Sequence, residues 1–314
     1  MLGSVVRVVP LIAAMLHLPS SGQCYYTVAF SPDGRYLAAG GSNCAADVWD
    51  LHDPSRPAQR FGPFNAPVIR VQFTAYGHLL LATIGPWFVA DSATAPPEFL
   101  DGPNGLFARR VAGLAHSSFL APVGHDVRCW VVLDPVRHAP DPRTIWQLNS
   151  VRGATDGAFA VDGRLILARS EDLSTGVLEV RDPSSGRLHT TIPVSGRPHR
   201  VACSADGRLA AVLANGHLSV WDVTTCEAVA DRYAAATHGG WLSLAFAPDG
   251  RRIVTGGNAG RDGVVAVWDA HSPGPPLRTL RWGVGPVYAV AFDRDGLCAA
   301  AAGHTGALVW DSDD

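Results

Sequence analysis

One phrase recurs down this 314-residue chain: an apolar strand, an Asp-Gly turn, two more apolar strands and a closing Trp-Asp. The clearest copies run from Phe30-Ser31-Pro32-Asp33-Gly34 to Val48-Trp49-Asp50, and from Phe246-Ala247-Pro248-Asp249-Gly250 to Val267-Trp268-Asp269. Two more run from Asp206-Gly207 to Val220-Trp221-Asp222 and from Asp295-Gly296 to Val309-Trp310-Asp311. Weaker copies pair Tyr76-Gly77 with Val89-Ala90-Asp91, and Asp162-Gly163 with Val180-Arg181-Asp182. The turn residues Gly34, Gly77, Gly163, Gly207, Gly250 and Gly296 are spaced 43, 86, 44, 43 and 46 apart. The doubled gap marks a unit near residue 120 that lacks a clean turn. The closing residues Asp50, Asp91, Asp134, Asp182, Asp222, Asp269 and Asp311 fill that gap, with steps of 41, 43, 48, 40, 47 and 42. Seven units thus cover the chain from about Tyr25 onward.

A period of roughly 40–45 residues with four short strands per unit is the spacing of a propeller blade. The predicted fold is all-β: a seven-bladed β-propeller of four-stranded antiparallel blades, one domain over residues 1–314. Residues 1–20 form a closing strand and lead-in, and residues 21–314 the repeats. Val28-Ala29-Phe30, Leu244-Ala245-Phe246 and Val290-Ala291-Phe292 carry no polar face, which marks strands covered on both sides. Asp-Gly between two apolar strands is a hairpin signal, because Gly accepts positive φ. A lone four-stranded sheet cannot cover both of its faces, and a ring of sheets can. After Asp311 only three residues remain, too few for a fourth strand, so Val5-Val6-Arg7-Val8-Val9 is predicted to supply it and close the ring. The rival reading of residues 1–21 is an export signal with Ser20-Ser21-Gly22 as its cleavage site, although Pro10 and His17 interrupt the apolar run.

The four Trp-Asp pairs in register resemble those of the WD-repeat family of β-propellers, and the resemblance covers about nine tenths of the chain. It implies that Trp49, Trp221, Trp268 and Trp310 are blade-core residues at a repeated position. Asp50, Asp222, Asp269 and Asp311 then serve the turns that follow them. It also implies a hydrogen-bond network built on a histidine, for which His199 and His238 are placed, with Asp47 and Asp262 near the turn position. That set is incomplete in most repeats here.

Charge and composition narrow the function. All 25 basic residues are Arg, they are scattered, and the net charge is −3. That pattern argues against nucleic acid as a partner. Without Lys there is no Schiff-base or P-loop lysine chemistry. No stretch besides the N-terminus approaches the apolar length of a membrane span. The six cysteines form no Cys-x-x-Cys pair and are expected as reduced thiols in a cytoplasmic protein. There is no His-Glu-x-x-His, nucleophile elbow or phosphate loop, and Gly283-Val284-Gly285 lacks the third glycine of a dinucleotide fingerprint. The twelve histidines lack ligand spacing, so neither metal nor cofactor is expected.

The resemblance places the residues that start the inner strands around the mouth of a central channel. These are Tyr25, Tyr26, Arg70, His199, Arg200, Trp241 and Tyr288, with Trp241 standing where the repeat usually carries Val. Tyr, Trp and Arg dominate binding hot spots. Pro-rich loops at Asp53 to Pro63, Pro135 to Pro142 and Ser272 to Pro276 are expected on the opposite rim, and the irregular stretch from Pro96 to Pro103 precedes the weakest repeat. The expected function is a monomeric, non-catalytic scaffold that binds a protein or peptide partner on the rim. The alternatives are a lactonase-like hydrolase, for which the strand starts offer only Asp156 and His199, and an exported sensor.

Overall fold

The computed structural model describes residues 15–20, 24–54, 59–64, 67–73, 79–83, 87–90, 117–123, 126–132, 146–147, 154–160, 164–172, 174–182, 185–233, 240–282 and 285–312. The segment Val5–Val9, the turns at Gly77 and Gly163, Asp91, Asp134, His238 and the loops 96–103 and 135–142 lie outside these residues.

Every regular element among the described residues is a strand. β1 (Leu16–Pro19) comes first, then a sheet of β2 (Tyr25–Phe30), β3 (Tyr36–Gly41), β4 (Ala46–Asp50) and β5 (Gln59–Phe61). The second sheet has β6 (Val68–Phe73), β7 (Leu79–Thr83) and β8 (Trp87–Ala90), and the third has β9 (Ser117–Val123), β10 (Asp126–Val132) and β11 (Trp146–Gln147). The fourth holds β12 (Ala154–Phe159), β13 (Leu165–Ser170), β14 (Thr175–Arg181) and β15 (Leu188–Ser195). The fifth holds β16 (Pro198–Cys203), β17 (Leu209–Ala214), β18 (His217–Asp222) and β19 (Glu227–Tyr233). The sixth holds β20 (Trp241–Phe246), β21 (Arg252–Ala259), β22 (Asp262–Asp269) and β23 (Arg278–Trp282). The last is built from β24 (Val287–Phe292), β25 (Cys298–Gly303) and β26 (Gly306–Asp311). Within each sheet consecutive strands pair antiparallel, so the fold is all-β with repeated four-stranded antiparallel sheets.

The last sheet gains its fourth strand from the chain's beginning, but not from the segment expected. Leu16 pairs with Val309 and Pro19 with Gly306, so β1 occupies the edge that Val5–Val9 was predicted to take. The alternation of strand burial explains the choice. Leu18 is 2% exposed and packs into a core with Val28, Leu37, Ala300 and Val309, while His17 and Pro19 face outward.

The Asp-Gly turns form where expected, with φ of 65° at Gly34, 72° at Gly207, 69° at Gly250 and 73° at Gly296. Side chains pin them. The hydroxyl oxygens of Ser31 and Ser204 accept the N–H groups of Tyr36 (2.8 Å) and Leu209 (2.9 Å). In the last sheet the same position is Asp293, whose carboxylate accepts Cys298 N–H at 3.1 Å. Burial raises the pKa of Asp293, only partly offset by its backbone hydrogen bonds.

The described cores lie between sheets, not within them. Ala38, Val48 and Phe61 of the first sheet meet Val68, Val71 and Leu81 of the second. Ile166 and Leu178 of the fourth meet Val201 and Val212 of the fifth, and Leu213 and Val220 of the fifth meet Ile253 and Trp268 of the sixth. Val254 and Val265 of the sixth meet Val290 and Trp310 of the last. The last sheet also packs on the first, through Cys298, Ala300 and Val309 against Tyr25, Leu37 and Trp49. Each fully buried Leu, Val or Ile contributes about 1.5–3 kcal/mol, so a sheet detached from its neighbours would lose most of its stabilisation. Small residues set the spacing. A methyl added at Gly256 would stand 2.5 Å from Val287 Cγ1 of the next sheet, and Gly40 meets Val68 in the same way.

Candidate interaction site

First strands of neighbouring sheets pack against each other at six junctions. β2 lies against β6 and β24, β24 against β20, β20 against β16, β16 against β12 and β12 against β9. Contacts between equivalent positions bring the strand starts together. The rings of Tyr26 and Tyr288 meet edge to face at 5.7 Å, and His199 Nε2 donates to the Trp241 carbonyl at 2.9 Å. Thr27 Oγ1 accepts Val71 N–H at 3.1 Å, and Asp156 Oδ2 accepts Val201 N–H at 3.0 Å.

A register slip recurs at one position in six of these strands. Pairing jumps from Tyr25 to Thr27, Val68 to Arg70, Ala154 to Asp156, Pro198 to Arg200, Trp241 to Ser243 and Val287 to Ala289. A β-bulge of this kind leaves one residue out of the ladder and re-aims its side chain. The residues passed over are Tyr26, Ile69, Thr155, His199, Leu242 and Tyr288. Tyr26 is 38% exposed and the other five are half-buried. Where its side chain is described, the residue before the slip faces the core instead: Tyr25, Val68, Pro198, Trp241 and Val287 are all buried.

The bulge corrects two sequence expectations. Tyr25 and Trp241 are not exposed on the rim. Tyr25 is 1% exposed, stacks edge to face on Trp49 at 5.7 Å, and donates its hydroxyl to Asp47. Burial, with the Asp47 hydrogen bond and charge, raises its phenol pKa. Trp241 packs edge to face on Trp268 at 6.0 Å within the core between the fifth and sixth sheets. Tyr26, Arg70, His199, Arg200 and Tyr288 do lie at strand starts with solvent access. Ile69, Thr155 and Leu242 were not singled out from sequence. A signal for them exists: all six bulge residues stand four positions before the end residues Phe30, Phe73, Phe159, Cys203, Phe246 and Phe292 of their strands.

Beside the bulge residues, charges from three sheets converge. Arg70 of β6 feels both the carboxylate of Asp156 on β12 and the guanidinium of Arg200 on β16. Its pKa is lowered by burial first and by Arg200, with Asp156 opposing. Arg200 is exposed and donates to the His199 carbonyl at 2.7 Å. Next to the tyrosine pair, Cys24 Sγ lies 2.7 Å from His304 Nδ1, and burial raises the pKa of the Cys24 thiol.

The Trp-Asp positions are structural. Trp49, Trp268 and Trp310 are buried and Trp221 half-buried. Trp268 donates to Thr255 Oγ1 and Trp221 to Ser219 Oγ, both at 2.9 Å. The aspartates hold the following turns as expected: Asp50 accepts His52 N–H (3.0 Å), Asp222 accepts Thr224 N–H (2.9 Å) and Asp269 accepts His271 N–H (2.8 Å). Two of them also pair with the Arg after the Asp-Gly turn, Arg35 with Asp50 at 2.8 Å and Arg208 with Asp222 at 2.7 Å. Those guanidinium hydrogen bonds hold both carboxyls below the usual carboxylate range. Because Tyr36 pairs with Asp50, the Asp-Gly turns and Trp-Asp ends share one end of the sheet, opposite the bulges.

Among the described residues, no group of three or more His, Cys, Asp or Glu is placed to hold a metal ion. The five described cysteines are unbridged. No helix among the described residues is long and apolar enough to cross a membrane.

The sequence model of the WD domain, G-beta repeat family (WD40) matches residues 17–50 and 234–269. The chain is similar to the WD repeat and SOCS box-containing protein 1 of Xenopus tropicalis, 34% identical over 119 residues, 37% of this chain and 27% of the relative. The proteins of that name from Danio rerio and Homo sapiens match at 34% over 119 and 32% over 118 residues, each with the same 37% and 27% coverage. The match spans 27% of the length of these curated relatives. Two repeats of the chain thus match the family's own sequence model, within sheets that repeat the same Trp-Asp pattern, so the chain carries WD repeats.

Proposed function

We propose that the chain is a single seven-bladed β-propeller, closed by β1, that acts as a monomeric, non-catalytic scaffold for a protein or peptide partner. WD40 repeats and relatives named for WD repeats support the scaffold class. The pairing of β1 with β26, and the core shared by the first and last sheets, support closure. Closure would leave one concave mouth, ringed by the starts of the inner strands. The observation that carries the reading is the bulge repeated in six sheets. It turns Tyr26, Ile69, Thr155, His199, Leu242 and Tyr288 out of the packing at that end. Two tyrosines, two aliphatic residues and nearby arginines form a collar of the composition that supplies binding hot spots. Unbridged thiols support a cytoplasmic location.

The test is affinity capture from the native cell extract, with wild type beside a Tyr26→Ala/Tyr288→Ala variant whose thermal unfolding matches wild type. Proteins identified by mass spectrometry that wild type retains and the variant loses support the mouth as the binding surface. The same proteins retained by both overturn it.

A further inference from the structure

We infer that residues 272–278 form a polyproline docking segment for the aromatic groove of an SH3-type domain, at the end of the sixth sheet opposite the bulges. The sequence there is Ser272-Pro273-Gly274-Pro275-Pro276-Leu277-Arg278. It joins β22 to the outer strand β23 through eight residues, 270–277, where the matching connection of the fifth sheet uses four, 223–226, and no proline. The turn after a Trp-Asp end therefore does not require this insertion. The segment lies on the surface. Pro273, Pro275, Leu277 and Arg278 are exposed, and Ser272 and Pro276 are half-buried. At 64%, Leu277 is the most exposed large apolar side chain among the described residues.

Its backbone is biased toward the polyproline II helix. Proline fixes φ near about −65°, and a residue before proline is pushed out of the helical region; together these rules cover every position from Ser272 to Pro276. The polyproline II helix repeats every three residues with a rise of about 3.1 Å per residue. Pro273 and Pro276 then share one edge about 9 Å apart, Pro275 and Arg278 share a second, and Gly274 and Leu277 fall on the third. A groove that reads the first two edges has aromatic walls for the prolines and a carboxylate about 6 Å beyond Pro276 to take Arg278. That is the recognition chemistry of SH3 domains. Arg278 is available for it: among the described residues it is in no ion pair, whereas Arg35 and Arg208 are held by Asp50 and Asp222. In the free chain the loop bends at Gly274 and Pro275, and Gly274 N–H donates to Ser272 Oγ at 3.3 Å. Docking opens that bend, which glycine tolerates. Leu277 N–H donates to the Val267 carbonyl at 2.8 Å and keeps the Arg278 end anchored to the sheet.

A panel of purified SH3 domains, arrayed and probed with the intact labelled chain, tests this. The tightest-binding domain is then titrated by calorimetry against wild type, Pro273→Ala/Pro276→Ala, Arg278→Glu, Arg281→Glu and Tyr26→Ala/Tyr288→Ala, with thermal unfolding as the check on folding. Arg281 is the charge control, since it is exposed on the same strand outside the segment. The expected result is loss of binding with the double proline variant, roughly tenfold weaker binding with Arg278→Glu, and no change with Arg281→Glu or the tyrosine variant. A synthetic peptide of residues 270–280 should displace the intact chain, and its Arg278→Glu form should not, a readout that does not depend on any variant folding. Failure of every domain to bind wild type, binding that survives the proline or Arg278 changes, or an equal loss with Arg281→Glu overturns the docking segment. So does binding lost with the tyrosine variant. The mouth reading is judged separately, by what the tyrosine variant loses from cell extract.

Discussion

Replacing Gly256 with Ala tests the claim that glycine sets the distance between neighbouring sheets. The added methyl would stand 2.5 Å from Val287 Cγ1, 2.8 Å from Val290 Cγ1 and 2.8 Å from Ser243 Oγ. Favourable carbon contacts lie at about 3.5–4.0 Å, so three atoms interpenetrate by roughly an ångström. None can move cheaply. Val287, Val290 and Ser243 are all buried, and valine is stiff at χ1. Overpacking of this kind costs about 1–3 kcal/mol. Against it stands a gain of about 0.4–1 kcal/mol, because Ala reduces the freedom of the unfolded chain. The overpacking wins, and urea unfolding should show Gly256→Ala about 1–2 kcal/mol less stable than wild type. Gly274→Ala is the control, since its new methyl meets nothing closer than Ser272 Oγ at 3.3 Å, and that variant should match or slightly exceed wild type. Val287→Ala should cost less in the Gly256→Ala background than alone, with a coupling of about 0.5–3 kcal/mol. If Gly256→Ala proves as stable as wild type, the sheets are not held at the distance described and the reasoning fails.

Trp268→Phe should cost about 1–3 kcal/mol, because it leaves the fully buried Thr255 hydroxyl without its donor; Trp221→Phe should cost less, since water reaches that half-buried ring, and denaturant midpoints separate the two. Asp293→Ser should stabilise the protein at neutral pH: the raised folded-state pKa of Asp293 means its contribution is fully present below the unfolded carboxyl pKa and lost as pH rises through the folded value. Serine, which holds the same turn at positions 31 and 204, has no such loss, so its advantage in thermal melts should vanish on acidification. Arg208→Ala should act with the opposite sign, since the lowered pKa of Asp222 contributes stability above the unfolded carboxyl pKa that disappears as pH falls through the folded one. Deleting residues 1–20 should strip β1 from β26, remove about 2–3 kcal/mol for Leu18 alone and promote association through the exposed edge, read by melting temperature and light scattering.

The repeat was legible because it depends on local chemistry. An Asp-Gly turn needs positive φ at Gly34, Gly207, Gly250 and Gly296, and a Trp-Asp end needs a carboxylate for the following turn; both requirements act within a few residues and leave a direct mark on the sequence. That was enough to determine strands, hairpins, the all-β class and the structural role of the tryptophans. The interaction site was less legible. Tyr25 and Tyr26 are adjacent and chemically alike, yet one is core and the other is the most exposed bulge residue, because the bulge shifts the register by one and pleat parity does the rest. Trp241 and Leu242 divide in the same way.

Two matters were left to tertiary structure. Which N-terminal segment pairs with β26 depends on the core that receives Leu18, formed by the first and last sheets together, whereas the expectation from sequence rested on the apolar run Val5–Val9. The convergence of Arg70, Asp156 and Arg200 joins residues from three separate sheets. The repeat determines how each sheet folds, whereas charges 44 to 130 positions apart become neighbours only when the sheets pack.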